Sequence, residues 1–182
     1  DIANMHKNAK EYIEAKTPLM VWDTSPKARK PFEKMKGAEV AEPGMMAEKC
    51  AVIIFVVPSS LEVAECLKGK NGILKNARKG LVLYDFTTSY PAETKKLARR
   101  AEKKGIAYLD AGMGRGTTRK LVLMIGGDQK DFDKAKDKID CYSKKMKLLG
   151  NAGSGQLAKM VNQICIAGLV QGLSEGINFG MK

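Results

Sequence analysis

The chain has 182 residues, 44% hydrophobic and 29% charged, with a formal net charge of +12. That length suits one domain with a core of its own, and no apolar run reaches the ~18 residues a membrane span needs. One histidine, His6, and four cysteines without CxxC spacing exclude a multi-histidine metal site, a histidine triad and a zinc cluster, so no metal is expected.

Residues 5–16, "MHKNAKEYIEAK", carry helical spacing. "LMVWD" (Leu19–Asp23) is a short apolar run ending in an acid. "SPKARKPFEKM" (Ser25–Met35) predicts a helix with Ser25 as N-cap and Pro26 at its first position, although Pro31 weighs against it. A short strand at "AEVA" and a short helix around Met45–Lys49 follow. "AVIIFVVP" (Ala51–Pro58) predicts a buried strand and "SSLEVAECL" a helix. The alternation continues with strand "GLVLYDF", helix "PAETKKLARRAEKK", strand "IAYLDA", strand "KLVLMIGG", helix "DQKDFDKAKDKI" and strand "KMKLLG". One long helix is then expected from about Gly155 to Phe179. Its glycines at 168, 172, 176 and 180 imply close approach of another helix, since each weakens the helix by roughly 1 kcal/mol against alanine.

Continuous Val/Ile/Leu runs suit strands covered on both faces, and their alternation with helices predicts an α/β fold with a doubly wound, mostly parallel sheet. The high charge invites a nucleic-acid reading. The lysines are scattered, however, and pairs such as those in "ETKKLARRAEKK" lie on amphipathic segments, where a solvated face is the simpler account. Anionic small molecules are the better partners for this charge. Cys50, Cys66, Cys141 and Cys165 read as reduced core residues of an intracellular protein, three of them in apolar or helical runs. The expected setting is the cytoplasm, with the mitochondrial matrix as the alternative.

In such folds ligands bind at the carboxyl ends of the strands. Asp23 ends its run where a dinucleotide-binding domain places an acid on the adenosine ribose. That charge repels a 2′-phosphate and favours NAD over NADP, while Lys27 and Arg29 nearby could still meet a phosphate. Pro58 ends the "VVP" run, stopping the strand and turning the chain under a cofactor. Thr87 and Thr88 in "DFTTSYP" follow a strand and precede a helix, as caps or as contacts to the nicotinamide ribose. "DAGMGRG" (Asp110–Gly116) reads as a loop whose backbone N–H groups, at Gly112, Met113 and Gly114, cradle an anion. Arg115 there can clamp a carboxylate, sulfonate or phosphate. In "GSGQLAKMVNQ" (Gly153–Gln163), Lys159 and Asn162 are three residues apart on one helical face and can converge on one point. The helix N-terminus nearby disfavours an ammonium.

These motifs resemble the β-hydroxyacid dehydrogenase family, that of 3-hydroxyisobutyrate dehydrogenase and tartronate semialdehyde reductase, over nearly the whole chain. The resemblance runs from "VWD" through "VVPSSLEVAECL" and "GLVLYDFTTSYPAETKKLA" to the lysine helix, G-x-G-x-x-x-K-x-x-N. It implies a Rossmann-type fold and hydride transfer between NAD, or NADP, and a small β-hydroxyacid or its semialdehyde. It makes Lys159 the catalytic acid/base with Asn162 beside it, Val57, Pro58 and Thr88 cofactor contacts, and Gln163 part of the substrate side. It also implies a homo-oligomer for the full-length protein. The family's G-x-G-x-x-G turn is absent before "DIANMHK". Residues 1–152 are therefore expected to be a dinucleotide-binding domain lacking its first strand and glycine turn. Residues 153–182 would be an interdomain helix leading to a helical domain beyond them. "DAGMGRG" replaces the family's D-A-P-V-S-G-G loop and resembles the variant of sulfolactaldehyde reductases, where the arginine helps hold an anionic head group. A non-catalytic, chromatin-associated relative is the alternative that +12 would fit, but its hallmark is loss of the lysine retained here.

Overall fold

The computed structural model describes residues 18–115, 121–140 and 143–182. The helix expected over 5–16, His6 and Cys141 lie outside the described residues. Strands β1 (Leu19–Val21) and β2 (Ala38–Val40) pair in parallel as a two-stranded sheet, joined through helix α1 (Pro26–Glu33). Helix α1 runs through Pro31. A proline inside so short a helix removes one hydrogen bond, and burial of Phe32 against the small sheet offsets that loss.

Five further strands form the main sheet in the order β3-β4-β5-β6-β7. They are β3 (Val52–Phe55), β4 (Val82–Asp85), β5 (Ala107–Arg115), β6 (Leu121–Gly126) and β7 (Ser143–Gly150). The helices are α2 (Pro43–Lys49), α3 (Ser60–Leu67), α4 (Ile73–Asn76), α5 (Pro91–Glu102), α6 (Gln129–Ile139) and α7 (Ser154–Gly180). Local chemistry sets several helix starts. Ser59 accepts from the Leu61 amide at 3.1 Å and donates to Glu62 at 2.6 Å, and Asp128 accepts from the Lys130 amide at 2.8 Å.

Both faces of the sheet are covered. On one, Ile53, Phe55, Leu83 and Tyr108 pack with Val63, Leu67, Ile73 and Leu97 of α3, α4 and α5. On the other, Tyr84, Leu109, Ala111, Leu123 and Ile125 pack with Ala135 and Ile139 of α6. This is the doubly wound, mostly parallel sheet expected. Strand β3 is less enclosed than its sequence implies: Val52 and Ile54 are half-buried, and the chain leaves the ladder at Phe55, before Pro58.

Strand β5 departs most from expectation. "DAGMGR" is not a loop but the second half of a nine-residue strand. Ala107–Asp110 pairs in parallel with β4, and Asp110–Arg115 then pairs antiparallel with β6. Only residues 116–120 separate β5 from β6, too few for the crossover a parallel pair requires. The backbone groups expected to cradle an anion are partly engaged in this ladder.

The glycine stripe of α7 also differs from expectation. A Cβ at Gly168, Gly172, Gly176 or Gly180 would meet open space, so among the described residues no helix approaches there. Cys165 is exposed on this helix, not in a core, while Cys50 and Cys66 are half-buried. Lys68 just after α3 and the lysines of α5 and α6 are exposed, and Lys68, Lys96 and Lys136 pair with acids three residues earlier and stabilise little. Among the described residues no helix is long and apolar enough to cross a membrane.

Candidate active site

The carboxyl ends of β3 and β4 lie side by side with Asp110 in the middle of β5, and this row is tied to the start of α7. Beyond β3, the Val57 amide donates to Thr87 Oγ1 at 3.4 Å, joining that turn to the loop after β4. The Thr87 amide donates to Asp85 Oδ1 at 3.0 Å, and Tyr108 on β5 donates its hydroxyl to Asp85 Oδ2 at 2.5 Å. Gln156 on α7 donates to the Thr87 carbonyl at 2.7 Å and accepts from the Ser89 amide at 3.1 Å.

The start of α7 sits directly on β5 and β6. Asp110, wholly buried, accepts from the Gly153 amide at 2.6 Å and the Gln156 amide at 2.9 Å. A carboxyl thus satisfies the first amides of the helix and meets the positive end of its dipole, the end expected to act on Lys159. Two glycines permit this close seat. A Cβ on Gly155 would strike the Met124 carbonyl and the Asp110 carboxyl. A Cβ on Gly112 would lie 2.6 Å from the Gly155 carbonyl oxygen and 2.8 Å from Lys159 Cβ. Lys159, half-buried, therefore stands against the backbone of β5 at Gly112.

Burial pushes the carboxyls of Asp85 and Asp110 above their ordinary value of 3.8, and Asp85 in turn raises the Tyr108 hydroxyl further than burial alone. A raised folded value means that the native state holds the proton more tightly than the unfolded chain. The stabilisation is full below the unfolded value and is lost as pH rises through the folded one. Urea unfolding across the acid range is expected to show wild type losing stability relative to Asp110→Asn as pH rises from about 4. A difference between the two that does not change with pH would contradict this account of Asp110.

Val57 meets Thr87 beyond β3 and β4, and Lys159 meets Gly112 on β5. Thr87 faces inward and is 2% exposed, whereas Thr88 is exposed. Neither threonine caps α5, whose N-cap is Tyr90, because Thr87 is held by Val57 and Gln156. Met113 and Gly114 continue β5 half-buried, and Arg115 is its last residue, opposite Leu121. Asn162 and Gln163 lie beyond Lys159 on the exposed part of α7. Asp23 stands apart, after β1. Its Oδ1 accepts from the Ser25 amide at 2.7 Å, and its carbonyl accepts from Arg29, whose guanidinium lies 4.5 Å from the Trp22 ring centre. Lys27 is exposed on α1. Sequence reasoning missed Asp85, Asp110, Tyr108 and Gln156. The acids at the ends of "LYD" and "YLD" were the available signal.

Residues 2–150 match the NAD binding domain of 6-phosphogluconate dehydrogenase. The chain is 34% identical over 178 residues to mitochondrial 3-hydroxyisobutyrate dehydrogenase of Homo sapiens, covering 96% of this chain and 53% of that protein. The chain belongs to the β-hydroxyacid dehydrogenase family. It is also 35% identical over 154 residues to 2-hydroxy-3-oxopropionate reductase of Escherichia coli K12, covering 80% of this chain and 52% of that relative. The chain thus spans about half the length of these family members. Among solved structures, 3-hydroxyisobutyrate dehydrogenase of Mycobacterium tuberculosis with L-serine superposes with a TM-score of 0.80 at 23% identity. It covers 92% of this chain and 58% of that one, a likeness of fold. The segment from 2 to 150 is the family's NAD-binding domain, and a basic chromatin-binding module is not favoured.

Proposed function

We propose that the chain is the nucleotide-binding part of an oxidoreductase that interconverts a small anionic β-hydroxyacid and its semialdehyde, with Lys159 as general acid/base. The observation that carries this reading is the seat of Lys159 on Gly112. It puts an amine-bearing side chain beside the strand ends where a dinucleotide binds in this fold.

The residues present fit NAD. Thr88 offers an exposed hydroxyl next in the chain to Thr87, which binds Val57, and the Asp23 carboxyl is held by the Ser25 amide and would meet ribose hydroxyls. The charge of Asp23 opposes a 2′-phosphate and favours NAD over NADP. When bound, the nicotinamide accepts or supplies the hydride. Lys159 takes the proton from the substrate hydroxyl during oxidation and returns it during reduction. Asn162 donates its amide N–H to the same oxygen, which fixes the reacting carbon in place. Met113, Gly114, Arg115 and Gln163 hold the acidic end of the substrate. On this reading residues 1–152 are the dinucleotide-binding unit and 153–182 the interdomain helix. Exposed Leu169, Leu173 and Phe179 then offer a surface to a helical domain or to a second subunit of a homo-oligomer.

The test is a screen of small hydroxyacids and sulfonates with the full-length protein and NAD⁺, read by NADH fluorescence. Turnover of at least one β-hydroxyacid is expected. No turnover on any of them, together with strongly salt-dependent DNA binding, would favour an interaction module. Within the active protein, Arg115→Ala is expected to raise KM roughly ten- to a hundredfold for anionic substrates, the worth of a lost charge-assisted pair. Arg115→Lys should recover part of this, because a point charge cannot reproduce the bidentate fork. Equal effects on charged and neutral substrates would mean that Arg115 only shapes the end of β5.

A further inference from the structure

The first turn of α7 is held from two directions. Asp110 on β5 binds its leading amides, at Gly153 and Gln156. The Gln156 side chain reaches the opposite way, to the loop after β4. Its Nε2 donates to the Thr87 carbonyl at 2.7 Å, and its Oε1 accepts from the Ser89 amide at 3.1 Å. Gln156 is 1% exposed, and its bond to the Thr87 carbonyl is buried while that from the Ser89 amide is part-buried. That loop is itself fixed, through the Thr87 amide on Asp85 and the Val57 amide on Thr87 Oγ1.

An anchor at one end of a helix leaves it free to swing and to turn about that point. Asp110 and the glycine seat hold the helix start against β5 and β6 and leave its side facing β4 without a restraint of their own. A second anchor, on a different strand end and with the directionality of two hydrogen bonds, sets the turn of the helix about its own axis. Lys159 is three residues beyond Gln156, so its direction follows from that of Gln156. A leucine of similar volume would fill the same space without this angular restraint, and it would strand the Thr87 carbonyl and the Ser89 amide.

We infer that Gln156 is a positioning residue: it couples the loop beneath the cofactor to the lysine helix, holding Lys159 at a set distance from the reacting carbon. The inference rests on the proposed role of Lys159 and adds to it the group that keeps proton transfer and hydride transfer in step. Gln156 touches neither substrate nor cofactor; it acts through Thr87 and α7.

The experiment uses the full-length protein carrying Gln156→Leu, Gln156→Glu, Lys159→Ala or the double change Gln156→Leu/Lys159→Ala. Measured for each are kcat, KM, NADH affinity and thermal unfolding. Gln156→Leu is expected to lower kcat about ten- to a hundredfold, as a displacement of about 1 Å at a reacting group does. NADH affinity should stay near wild type. The double variant should be no slower than Lys159→Ala alone, because a displaced lysine and an absent one are the same loss. Gln156→Glu keeps the acceptor for Ser89 and recovers the donor for Thr87 only when protonated. Its deficit relative to wild type at the same pH should therefore shrink toward acid. This variant carries the test if Gln156→Leu does not fold. Wild-type kcat in either folded Gln156 variant overturns the inference, and so does a double variant slower than Lys159→Ala by the full Gln156→Leu factor. Wild-type kcat in Lys159→Ala overturns the lysine's role first and this inference with it.

Discussion

Lys159→Ala is expected to lower kcat by about 10²–10⁴-fold in the full-length protein, the range for a positioned general acid/base. On the proposed reading NADH affinity should change little, because groups after β1, β3 and β4, and not α7, would hold the cofactor. The reason to assign the proton to this residue is positional. Lys159 Cβ lies against Gly112, and the Gly112 backbone is part of the strand edge that runs out beyond the end of β4. Near-wild-type kcat, or loss of NADH binding in step with loss of turnover, would sink the assignment.

Gly112→Ala is expected to be the next most damaging change. The new Cβ would sit 2.6 Å from the Gly155 carbonyl oxygen and 2.8 Å from Lys159 Cβ. Neither atom is the far end of a flexible side chain, so α7 itself must move. Overpacking of this kind costs about 1–3 kcal/mol. A helix start shifted by about 1 Å would lower kcat by about a hundredfold. Gly114→Ala, two residues along the same strand, supplies the control for stability. Its nearest neighbours would be 3.7 Å away at Val122, an ordinary contact, and its thermal midpoint should match wild type. If Gly112→Ala melts with wild type and keeps its kcat, the seat of Lys159 on β5 is not what positions it.

Most elements were legible because their signals are local. Pro26 and Pro91 open helices, Ser59 and Asp128 cap them, and "VIIF" and "VLYD" have the apolar density of strands packed on two faces. Strand β5 was legible only to its midpoint. Beyond Asp110 its residues have low intrinsic strand preference, and pairing with β6 decides the conformation. The one-turn helix α4 was hidden in "ILKN", too short for any period to show. The same division runs through the site. Lys159 and Asn162 could be read from spacing within one helix. Asp110 and Gln156 could not, because what they do is defined by partners 43 to 69 residues away in the chain.

The change of partner along β5 has a consequence for how the sheet finds its register. Asp110 is the residue at which the strand leaves β4, where it faces Asp85, and it is also the partner of Gly126 on β6. Side chains alternate, so Asp110 and Gly112 face α7 while Leu109 and Ala111 face the apolar layer with Leu123, Ile125 and Ile139. A slip by one residue would exchange the two sets. It would drive a carboxyl into that layer and leave an isobutyl group over the amides of Gly153 and Gln156, errors worth several kcal/mol, on the order of a lost buried hydrogen-bonded group each. The carboxyl that anchors the lysine helix thereby also rejects a one-residue slip of the strand that carries it.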